Sequence, residues 1–230
     1  MNPVISIGSL KTSGSSSLAL TLASVIAAVD APVLLIDAAR DADLVAWARL
    51  PGRPSRILVE PAQDESDLER LVRDGRRRGD VVIIDASDRP SMIRAGACQA
   101  DRVLIPVRFS PFSAHAGVAT DRLLRTDAEV NRRSRHWCFV ASAVTTIPSR
   151  IARALEAIIG QSDTPRFPIG LTQRAAYEAP FLNGGTIYTL SDDTAPGLER
   201  ARDEAWTFAL DMGLVEEHST ARWTQDLQAA

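Results

Sequence analysis

The feature that most constrains this chain is an alternation between two hydrophobic periods. Short runs rich in Val and Ile lie at 4–7, 33–36, 57–59, 81–84, 103–107 and 137–140. Between them run longer segments with helical spacing, at 17–29, 64–78, 113–130 and 149–159, followed by 173–182 and 196–214. Strands that are apolar on both faces need a cover on both sides, and helical crossovers supply it. The pattern therefore predicts an α/β fold, a doubly wound, mainly parallel sheet with helices on both faces. With 230 residues, 45% of them hydrophobic, the chain can bury roughly 70% of its unfolded surface in one core. One domain over 1–214 and a polar, loosely held tail over 215–230 are expected.

Composition removes several classes. No apolar run reaches the ~18–20 residues of a membrane span. The opening MNPVISIGSL lacks the basic-then-apolar layout of a signal peptide, so a cytoplasmic location is expected. Cys98 and Cys138 show neither CxxC nor Cys/His spacing, which suggests no zinc site or disulfide framework and fits a reducing compartment. A net charge of -3 and a pI near 5.7 exclude a uniformly basic surface and leave only local patches for any nucleic acid. Lys and Arg total 26, and Lys11 is the one lysine. A genome that prefers arginine codons accounts for the bias, yet a lone lysine inside a Gly/Ser loop invites a functional reading.

Right-handed crossovers bring the loops after the strands to one edge of such a sheet, where α/β proteins bind ligands. The loop after 4–7 runs GSLKTSGSSSLALTLA. Its small residues can let backbone amides surround an anion at a helix N-terminus, although a serine that merely caps the helix explains it as well. The runs at 33–36 and 81–84 are followed by Asp37 and Asp85. An acid at a strand tip beside a phosphate loop can hold magnesium or its water. Singly, each is more simply the first solvated residue of its loop; in this order and together, the two acids and the loop favour the magnesium reading.

The segments KTSGSSS, VLLIDAARDADLVAW, VVIIDASDRPS, ADRVLIPVRFSPF and FPIGLTQRAAYEAPFLNGGTIYTL occur in one order along the chain. Together they resemble the deviant Walker A, A′ and B segments and the C-terminal region of the ParA/MinD group of P-loop proteins, with the flavour of the ParA-like proteins of T-DNA transfer systems. The similarity runs from about residue 1 to 214. Laid on the family loop KGGxGK[ST][ST], the sequence puts Lys11 at the signature lysine that reaches a partner's phosphates in a nucleotide sandwich dimer. Gly14 and Ser15 then belong to the phosphate loop, Ser15 at the last glycine, with Ser16 at the Walker lysine and Ser17 at the magnesium-binding hydroxyl. A shift of one residue would make Gly14 that glycine and put Leu10 at the signature position. The family's second acid after the second strand is replaced by Ala39, and its base-reading Asn after the sixth falls near Ser142.

The resemblance implies ATP or ADP with magnesium, Lys11 and Asp37 as catalytic residues, and Ser17, Asp37 and Asp85 at the metal. It also implies a homodimer, a ParB-like or transfer-system adaptor as partner, and sequence-independent DNA binding, which would make the protein nucleoid-associated. The basic residues suited to that are Arg150, Arg153, Arg200 and Arg202; the runs at 132–135 and 76–78 read better as solvated helix ends. Losing one charge-assisted phosphate bond weakens binding by about 10- to 150-fold. Losing a cation on the transferring group can cost about 10³–10⁵ in rate. The expected function is a ParA-like nucleotide-binding protein of plasmid or chromosome partition, or of DNA transfer, with weak or absent hydrolysis. A partner-recruiting pseudo-ATPase and an active ATPase with an unusual loop are the alternatives.

Overall fold

The computed structural model describes residues 2–11, 13–108, 110–131, 136–143 and 150–216, without the side chains of 150–153 and 155. Its strands are β1 (Val4–Ile7), β2 (Val33–Asp37), β3 (Ile57–Pro61), β4 (Val81–Asp85), β5 (Arg102–Val107) and β6 (Trp137–Ala141). They form one sheet in the order β3-β2-β4-β1-β5-β6, and every pair is parallel. The doubly wound sheet expected from the sequence is therefore the observed one.

Alternate residues of each strand serve two cores, as a pleated strand requires. Ile5, Ile7, Leu35 and Ile83 face α1 (Ser15–Ala28), α2 (Asp43–Ala48) and α8 (Leu198–Asp211). Val4, Leu34, Ile36 and Ile84 face α3 (Glu65–Arg78), α4 (Pro90–Gln99), α5 (Pro111–Val130) and α6 (Arg150–Ile159). All five residues of β2 and of β4 are buried, which is why these runs carry no polar alternation.

The differences from expectation have local causes. The stretch at 173–182 is a 3-10 turn at Ala175–Tyr177 followed by the short α7 (Ala179–Asn183), because Pro180 fits the first turn of a helix but cannot continue one. Helices α2 and α4 have no counterpart among the predicted helices. The first is a helix of 6 residues and the second of 10, started by Pro90 and built from small residues with a weak apolar stripe. Among the described residues no helix is long and apolar enough to cross a membrane.

Candidate functional site

The loop after β1 ends at Gly14 with φ 84°, a left-handed conformation that side chains resist. Gly14 is the N-cap of α1, and among the described residues no side chain caps that helix. The amides of Ser15, Ser16 and Ser17 thus have no acceptor within the helix, and the helix dipole favours an anion in front of them. These residues line a cleft of about 320 Å³ together with Ser13, Arg40, Ser87, Arg108 and Glu178. From behind, the Ser142 hydroxyl donates to the Ser13 carbonyl at 2.5 Å. The residue after β6 therefore braces the loop. A larger hollow, about 460 Å³ around Arg102, His136, Trp137 and Asp163, opens where β5 and β6 begin, at the opposite end of the sheet from these loops.

Asp37 and Asp85 are paired in register on neighbouring strands, so both acids reach the same edge. Their partners differ. The Asp85 carboxylate is fully buried and accepts from the Ser16 hydroxyl at 2.5 Å, the Ser87 amide at 3.2 Å and the Ser87 hydroxyl. Burial pushes its carboxyl up to about 6, with the neighbouring Asp37 charge adding to the rise and the hydroxyls opposing it. Asp37, 2% exposed, accepts from the backbone amides of Val45 at 2.9 Å and Ala39 at 3.2 Å, at the entrance to α2. Burial raises its pKa too, against the pull of those amides. Asp37 is not among the cleft-lining residues.

The remaining sequence candidates divide. Gly14, Ser15, Ser16 and Ser17 come together in the cleft. Of the serines, it is Ser16 that meets Asp85, whereas Ser17 accepts through its carbonyl from the Thr21 hydroxyl. Lys11 is exposed, outside the cleft lining, with its ammonium 5.7 Å from the centre of the Phe112 ring. Arg200 is exposed. Arg202 instead donates to the carbonyls of Ile187 at 2.7 Å and Leu190 at 2.9 Å. Arg150 and Arg153 start α6, but their side chains lie outside the described residues, as do 132–135. Arg76, Arg77 and Arg78 all have acidic partners, Asp101, Asp74 and Asp80, as a solvated helix end would.

Arg108, Ser87 and Glu178 reach the cleft although the sequence reading gave none of them a role. The signal for Arg108 was its position as the first residue beyond β5, at the loop edge; Glu178 arrives from the irregular C-terminal region, where no periodicity singles it out.

No family model matches the chain. It is 27% identical to Protein ParA of Rhizobium radiobacter over 220 residues, which is 93% of this chain and 98% of that protein. Among solved structures, apo McdA of Cyanothece superposes with a TM-score of 0.72 at 16% identity, covering 90% of this chain and 99% of the other. A putative plasmid partition protein of Borrelia burgdorferi, bound to AMPPNP, gives 0.64 at 14% identity, with 92% and 100% covered.

Proposed function

Because the chain is ParA/MinD-like, we propose that it binds ATP or ADP in the serine-loop cleft and acts in partition or DNA transfer, with slow or absent hydrolysis. The observation that carries this reading is the contact of Ser16 with buried Asp85 directly below the uncapped N-terminus of α1. The register that suits it is the shifted one. Gly14 takes the last glycine of the family loop, Ser15 the place of the Walker lysine and Ser16 the magnesium-linked hydroxyl. Leu10 then takes the signature position, and Lys11 stands beside it as an exposed cation.

Magnesium fits the donors present. Asp85 is a buried carboxylate whose partners are hydroxyls and an amide rather than cations, and a hard cation beside it would offset the cost of its burial. Magnesium holds several of its waters and takes one or two protein oxygens, which Ser16 and Asp85 would provide. When bound, the ion would neutralise phosphate charge. The chain's own part is to present three helix amides to the phosphates and to keep Asp85 in place. The acid Asp37 is read as fixing the start of α2. With serine at both candidate lysine positions, no cation of the usual kind sits at the loop, so turnover should suffer more than binding.

Association with DNA would rest on Arg200 and the start of α6, in a dimer that pools weak phosphate contacts. The alternative is a partner-recruiting pseudo-ATPase in a ParB-like or adaptor role. Calorimetric titration with ATP and magnesium, then a phosphate-release assay, tests the proposal. Saturable binding with release near background is expected. No binding of ATP or ADP overturns it, and robust release would point to an active ATPase with an unusual loop.

A further inference from the structure

Resting on the nucleotide reading above, we infer that Arg108 supplies the cation of the serine loop, standing in for the missing loop lysine from the far side of the cleft.

The geometry begins at β5. Its last residue, Val107, ends at the same sheet edge as the phosphate loop, and the next residue is Arg108. The Arg108 amide donates to the Ser113 hydroxyl at 2.9 Å, so the backbone is fixed by the first turn of α5. From there the guanidinium lies against the loop. A Cβ placed on Gly14 would sit 3.4 Å from Nε and 3.4 Å from Nη2 of Arg108. The planar cation thus lies against the residue that opens α1 and lines the same cleft as Ser15, Ser16 and Ser17.

The guanidinium has no strong partner among the described residues. Among the described residues its Nε is buried without a hydrogen bond. Nη2 is 3.9 Å from the Glu178 carboxylate, beyond hydrogen-bonding distance. The side chain is 39% exposed and that of Glu178 68%, so solvent screens the pair and its worth is small. A half-buried guanidinium with an idle donor is costly to leave unsatisfied, and a phosphate offers it the bidentate geometry it prefers.

Other cations at this edge are placed differently. Arg40 is 71% exposed and paired loosely with Asp88 at 3.8 Å. Arg89 is held by the carbonyls of Ala38, Ala62 and Gln63. Arg108 lines both the serine-loop cleft and the smaller adjoining hollow of about 40 Å³ bounded by Ser142, Thr172 and Tyr177. It is thus positioned where phosphates would lie in front of α1. Glu178 would hold the guanidinium in the empty protein and release it to the phosphates.

Titration of the full chain with magnesium ATP and ADP separates the possibilities. Arg108→Ala should weaken binding by about 10- to 150-fold, while Arg108→Lys should retain most of the affinity. Glu178→Gln, which removes a competitor for the guanidinium, should tighten binding by about two- to five-fold at low salt, the worth of a screened pair. That gain should vanish in the Arg108→Ala background, an outcome a purely structural role would not give. Ser15→Lys should rescue Arg108→Ala by returning a cation to the loop. Binding by the unaltered chain that Arg108→Ala leaves within two-fold overturns this inference and spares the nucleotide reading. If Arg108→Ala does not fold by circular dichroism, unchanged affinity in Glu178→Gln overturns it instead. No binding by the unaltered chain overturns both.

Discussion

Asp37 and Asp85 give the same signal in the sequence and serve different neighbours in the fold. Each ends an apolar strand, each is buried, and the two are register partners. Asp85 is met by the side chains of Ser16 and Ser87, groups that can turn toward an ion or a phosphate. Asp37 is met by backbone amides at the start of α2, which are fixed by the helix they belong to. On the proposed reading, an acid at a strand tip serves the site when what faces it is free to change partner.

The comparison can be broken most forcefully at Asp37. Asp37→Ala should orphan two partly buried amides and cost roughly 2–4 kcal/mol of stability in denaturant titration. The affinity of the remaining folded protein for magnesium ATP should change by less than about three-fold. A selective loss of magnesium-dependent binding would instead put Asp37 at the metal.

Asp85 predicts a pH signature. Its carboxyl titrates near 6 when folded and near 3.9 when unfolded. The stability contributed by its protonated form is complete below about pH 4 and is lost as pH rises through about 6, roughly 3 kcal/mol in all. Asp121 and Glu204, whose pKa values are lowered by hydrogen bonds that outweigh burial, act in the opposite sense. The readout is therefore the difference between the unaltered protein and Asp85→Asn in urea melts from pH 4 to 7. The decline should be smaller in the variant, where Asp37, also raised by burial, still contributes, and parallel curves would mean that Asp85 is not strained by its charge.

The loop itself sharpens the contrast. Ser15→Lys should raise ATP affinity by about 10- to 150-fold, whereas Ser16→Lys should lower it by breaking the bond to Asp85. Calorimetry with both variants decides between the two loop registers, since the opposite ranking would restore Ser16 to the lysine position.

These experiments address the part of the molecule that the sequence left open. The strands were legible because burial on both faces imposes continuous Val/Ile runs, as in VVIID, and the gathering of the loops after them at one edge followed from right-handed crossovers, whereas the strand order was not legible. The helix α1 was legible but its first residues were not: 17–29 was expected and Ser15–Ala28 is found. Small polar residues have no periodicity, so only the conformation of Gly14 fixes where the helix starts and hence which serine meets Asp85. Arg202 has a structural partner that pattern reading did not show. Beside Arg200 it looks like half of a basic patch, yet its guanidinium ties down the loop after α7.

The smallest effect concerns DNA. Arg200→Glu should weaken binding to every duplex tested and reduce the log–log salt slope by about 0.9 for each phosphate that is no longer neutralised. Arg202→Glu should act mainly on stability. No duplex binding at low salt, with or without nucleotide, would favour the partner-recruiting reading.

The central claim, that the amides in front of α1 receive the phosphates of a nucleotide, is tested most directly by amide NMR. Backbone N–H shifts of the labelled chain would be followed as magnesium ATP is added. The largest changes are predicted at Ser15, Ser16 and Ser17, with adenosine producing none there. Saturable changes centred elsewhere, or none at these three serines, would contradict it.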